Sequence, residues 1–107
     1  MTIDWSRMET REARADRARA DLRQEARDLC RARILAVCNE TAQTNLAAAA
    51  AAGLLTPRDM AIYRVGMVWV ATMRAAWGPL ADAGADLRDD ANWPPVPPGV
   101  AELGGRF

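Results

Sequence analysis

The sequence has no histidine, no lysine, two cysteines and six aromatic residues among its 107 positions. Each scarcity excludes something. Without histidine, the commonest general base and metal ligand is missing. Cys30 and Cys38 stand roughly 12 Å apart along a helix, too far to bond each other and too few to hold zinc. They read as small buried side chains of a reducing compartment. Formal net charge is zero, so there is no overall pull towards nucleic acid or an anionic membrane. No charge-free apolar run reaches membrane-spanning length, and the opening MTIDWSRMETR lacks the apolar core of a signal peptide. Glycine-rich phosphate loops, metal-ligand clusters and nucleophile–base pairs are absent too. These gaps predict a chain that is not an enzyme, with no cofactor, no metal, no small-molecule substrate and no membrane.

What is present is helical. Half the residues are hydrophobic, but much of that is alanine, so a monomer would have a thin core. The length suits one small domain. All fourteen basic residues are arginine, which in an alanine-rich chain reflects coding bias more simply than an arginine-specific role. Residues 6–52 contain neither glycine nor proline, and helix formers dominate them. Ser6 and Glu9 have the spacing of a capping box, and Gly53 is placed to end the run. The pattern predicts one helix over about residues 7–52, roughly 69 Å long, which Asn39-Glu40-Thr41 could interrupt. Before it, Ile3 and Trp5 have no obvious place until something docks them.

The two halves of this helix differ. Residues 7–33 carry nine arginines against six acids, with a thin stripe of Met8, Ala15, Leu22, Ala26 and Leu29. Interleaved acids favour a solvated helix or a coiled-coil strand; a basic arm for nucleic acid is the alternative. Residues 34–52 show a stripe of Leu35, Cys38, Ala42, Leu46 and Ala49, widened by Ile34 and Val37, and an alanine run that lets another backbone come close.

The chain is organised around residues 54–78. Thr56, Pro57 and Asp59 form a helix start, with Leu55 and Met60 as the staple. Gly78-Pro79 predicts the stop. Ile62, Val65, Gly66, Trp69, Val70, Met73 and Trp77 share a broad face, while Met67, Val68 and Ala71 lie beside Arg64 and Arg74. A helix this apolar is buried on more than one side. The short connection predicts an αα-hairpin with a core of Leu35, Cys38, Ala42, Leu46, Ile62, Trp69, Val70, Met73 and Trp77. A helix over residues 57–77 covers only residues 34–52, leaving 7–33 without a partner in its own chain.

Residues 80–92 are acidic, with a short helix over 80–90 weakened by Gly84. Trp93 then heads Pro94-Pro95-Val96-Pro97-Pro98, an extended polyproline-type segment. It reads as a docking strap for another protein or as a tack onto the chain's own hairpin. The closing AELGGRF is too short to bury much. The organisation predicted is therefore all-α: a charged arm over 1–33, a helical hairpin over 34–78, and an acidic spacer with an extended Trp/Pro-rich tail over 79–107. Leu22, Leu29, Trp93, Pro94 and Pro97 are the candidate partner-binding residues.

YRVGMVWVATMRAAW, a short acidic spacer and then WPPVPP, preceded by AQTNLAAAAAAG, resemble the C-terminal part of bacteriophage tail-fibre assembly and tail-assembly chaperone proteins. The likeness spans roughly residues 42–98. It implies a tail-associated structural or assembly component, working in the host cytoplasm during assembly, with retention in the virion left open. Its partners would be copies of itself or other tail proteins, with contacts made in an oligomer. The rival expectation is a nucleic-acid-associated or regulatory helical protein using the arginine-rich arm.

Overall fold

The computed structural model describes residues 10–107 and is a rod of 75 × 25 × 17 Å. Its described residues form four α-helices and no strand: α1 (Arg11–Val37), α2 (Glu40–Ala51), α3 (Pro57–Asp82) and α4 (Val100–Gly105). Thr10 starts α1, its hydroxyl accepting from the Ala13 amide at 2.9 Å, with Glu12 in the positive first turn. The Ser6 capping box lies outside the described residues.

The long first helix is two helices. Cys38 turns extended (φ −148°, ψ 106°), and Asn39 caps α2 by accepting from the Ala42 amide at 2.8 Å. Gln43 donates to the Cys38 carbonyl left over by the break, at 2.8 Å, and an Arg31–Glu40 ion pair spans it. An asparagine offering its side chain in place of a backbone partner favours a cap over a helix interior. That preference wins here.

α2 ends at Ala52, where Gly53 takes φ +70° and Leu54 donates back to the Ala49 carbonyl at 2.9 Å. This is the Schellman arrangement. The Thr56 hydroxyl then accepts from the Asp59 amide at 3.1 Å, with Pro57 at the head of α3. α3 does not stop at Gly78-Pro79. It runs to Asp82, with Pro79 inside it, because its last turn carries Leu80 and Ala81 into the core and Asp82 onto Arg23. The real stop is Gly84, with φ +66° and Ala85 donating to the Leu80 carbonyl at 3.0 Å. A short helix over 80–90 is therefore not formed; residues 80–82 complete α3.

α3 runs antiparallel to α1 and packs on its second half. Arg23 and Arg27 stack on Trp77, while the Cys30 thiol meets the Met73 carbonyl at 3.4 Å. The expected coverage of residues 34–52 alone is thus corrected: α3 covers α1 from Leu22 onwards. Ala26, Cys30 and Ile34 interlock with Trp69, Met73 and Ala81, flanked by Leu22, Leu29, Val37, Val70, Trp77 and Leu80. Small residues on α1 let the two backbones approach, and each large side chain buried contributes about 1.5–3 kcal/mol. Of the expected core, Ala42, Leu46, Trp69 and Met73 are buried; Leu35, Cys38, Ile62, Val70 and Trp77 are half-buried. Only residues 10–21 of the described arm are exposed throughout.

The tail folds back. Leu87 and Trp93 plug the core, joined by a one-turn 3-10 helix (Asp90–Asn92) that Asp89 caps. Residues 94–97 are non-helical, and residues 100–105 then form α4. The closing segment therefore does bury surface, through Val100, Leu103 and Gly104. α4 packs on α3, α1 and α2, while α2 makes little direct contact with α3. Gly104 makes this possible: a Cβ there would stand 2.8 Å from the Val37 carbonyl oxygen and 3.2 Å from Cys38 Cβ. The end of the chain is seated on the break between α1 and α2.

Candidate functional site

Because α4 wedges between α2 and α3, the two helices leave a groove of about 440 Å³ between them. Leu46 and Ala47 of α2 form one wall, and Ile62, Met67 and Val70 of α3 form the other. Cys38, Val100 and Leu103 close it from the side of the break, and Gln43, Tyr63 and Arg74 supply its polar groups. The groove is continuous with an uncovered part of α3: Met67 and Val68 are 55% and 66% exposed, and Val65 is exposed too. The volume is that of a ligand or side-chain pocket rather than a surface dimple.

The chemistry on offer is recognition by shape. Burial pushes the Cys30 thiol up, with the Arg74 charge pulling the other way, and burial pushes Cys38 up as well. Both cysteines are free, and a raised pKa keeps a thiol out of the nucleophilic thiolate form. At the far end of the groove region, Arg106 donates to Asp59 at 2.8 Å and holds that carboxyl below the usual carboxylate range. This link fastens the C-terminal end to the start of α3. Among the described residues, no group of three or more acids or cysteines is arranged to hold a metal. No helix among them is long and apolar enough to cross a membrane.

The expected partner-binding residues do not form an outward surface. Leu22 and Leu29 are half-buried against the core. Trp93 is only 5% exposed: its indole donates to the Leu87 carbonyl at 2.9 Å and lies under the Arg33 guanidinium at 5.2 Å. Pro94 and Pro97 are half-buried. The Pro94 carbonyl accepts from the Trp69 indole at 3.1 Å, and the Pro97 carbonyl accepts from the Val100 amide at 3.3 Å. The strap is a tack on its own hairpin, held at its head by the Trp69 indole of α3 and the Arg33 guanidinium of α1. Two arginines of the arm are engaged by the chain's own C-terminal part: Arg23 pairs with Asp82 at 2.6 Å and Arg33 with Asp90 at 2.7 Å.

The residues that do face outward, Val65, Met67 and Val68, were signalled in the sequence by the apolar breadth of α3. Their position beside a groove was not, since it depends on α4. Comparison with protein-family models, curated proteins and solved structures finds no match to this chain.

Proposed function

We propose that this chain is a non-enzymatic helical interaction protein, a structural or chaperone-like assembly component of a phage-like tail that acts in an oligomer. The observation that carries the interaction reading is the apolar face of α3 around Met67 and Val68, open beside the groove. Exposed apolar side chains clustered beside a groove are the usual mark of a protein–protein contact site. The uncovered start of α1 over residues 10–21 points the same way, since an exposed helix end frays readily in water. The tail assignment rests on the likeness of the YRVGMVWVATMRAAW and WPPVPP stretches, and the expected setting is the host cytoplasm during assembly. Copies of the chain or other tail proteins are the partners.

Deleting the gene from a phage or prophage that carries it, and imaging the resulting particles, tests the tail assignment. Tails that fail to form, with the wild-type chain found in or out of purified particles, separate an assembly role from a structural one. Intact tails after deletion would overturn it. Light scattering on the Val68→Glu variant tests the interaction reading on its own: the charge should disperse an oligomer that the wild type forms.

A further inference from the structure

We propose that the groove between α2 and α3 receives Ile3, Asp4 and Trp5 from a second copy of this chain, with Asp4 set against Arg74. This rests on the oligomer reading above and names the segment that makes the contact.

The groove wants a particular kind of occupant. Leu46, Ile62 and Met67 give it apolar walls, and its lining includes Arg74 but no aspartate or glutamate. Arg74 is exposed, and no carboxylate of the described residues pairs with it. A complementary segment carries large apolar residues and one acid. In this sequence only Asp4 is an acid with a large apolar residue on both sides, Ile3 and Trp5. In an extended segment Ile3 and Trp5 face one way and Asp4 the other. The first two then enter the groove, and the carboxylate stays at its mouth, within reach of the guanidinium.

Reach decides which copy supplies them. The near end of the groove, at Arg74, lies beside Cys30, and α1 separates Thr10 from Cys30 by roughly 30 Å at 1.5 Å per residue. Trp5 precedes Thr10 by five residues, a span of at most about 18 Å when fully extended. A chain cannot put Trp5 into its own groove. A neighbouring copy can, either by reciprocal exchange in a pair or head-to-tail around a ring.

The test uses the full chain in light scattering and sedimentation. Wild type should self-associate, and Trp5→Ala should weaken association at least tenfold while leaving helicity at the wild-type level. Asp4→Arg and Arg74→Asp should each weaken it, and the double reversal should restore it; Arg74→Ala gives the same reading if the reversal alone lowers helicity. A Trp5→Ala variant that associates as tightly as wild type overturns the insertion and leaves the oligomer reading standing. A wild type that stays monomeric overturns both. Failure of the double reversal to restore association overturns the Asp4–Arg74 pairing.

Discussion

The two halves of α1 are made from the same materials and have different fates. Residues 11–21 and 22–37 are both arginine-rich with interleaved acids, yet the first is exposed along its whole length and the second carries the core. The difference lies in a few apolar positions. Leu22, Ala26, Leu29, Cys30 and Ile34 fall at helical spacing on one face, and α3 closes over them; before Leu22 the apolar residues are all alanine, and Glu12 and Arg19 share that face. Charge does not separate the halves, but it follows the division. Arg23, Arg27 and Arg33 reach across to Trp77, Trp93 and acids of the C-terminal part, whereas Arg19 pairs with Asp16 on its own helix. Such exposed pairs contribute only about 0–1 kcal/mol each, so packing decides where the helix is covered.

The largest effect should come from removing what covers the second half. Trp69 is buried against that face, and its indole also holds the Pro94 carbonyl. Trp69→Ala should cost about 3–5 kcal/mol in denaturant unfolding; melting like wild type would mean that the α1–α3 seam is not the core. The next effect compares the halves directly. Ala26 is fully buried at the seam, so Ala26→Leu should cost about 1–3 kcal/mol by overpacking. Ala18→Leu, on the exposed half, should stay within about 0.5 kcal/mol of wild type. Equal costs would erase the distinction.

The smallest effect is a pH dependence from the link between Asp59 and Arg106, which touches neither half of α1. The Asp59 carboxyl is held below its ordinary range by Arg106, first through the hydrogen bond. Its contribution is therefore present above the unfolded-state carboxylate pKa and lost as pH falls through the lower folded value. A modest acid-side loss of stability is expected, and Asp59→Asn should lack that part of it. Acid melting curves that coincide for the two proteins would remove the link from the account.

Much of this was legible in the chain. Thr56-Pro57 and Gly53 follow from capping chemistry that needs no tertiary information, and the antiparallel return follows from the short connection between them. The stripe of Leu22, Ala26 and Leu29 was visible too, but its partner was not, because Gly78-Pro79 looks like a stop. Local breaker chemistry lost there to the burial of Leu80 and Ala81, while Gly84, the real stop, looked like a mere weakness. α4 was illegible for a different reason. Val100 and Leu103 are too few to announce a helix, and the feature that seats it, Gly104 against the Val37 carbonyl, exists only once the α1–α2 break has formed. The groove depends on that seat. For Trp93, nothing in the local sequence tells a strap from a tack; the choice is made by Trp69 and Arg33, which are distant in the chain.

Native-state hydrogen exchange, measured residue by residue on the chain diluted to a monomer, tests the division of α1 most directly. Amides of residues 22–37 should exchange slowly, close to the rate set by global unfolding, while those of 15–21 should exchange orders of magnitude faster through local fraying. Uniform protection from 15 to 37 would contradict the account, as would loss of protection across the whole helix.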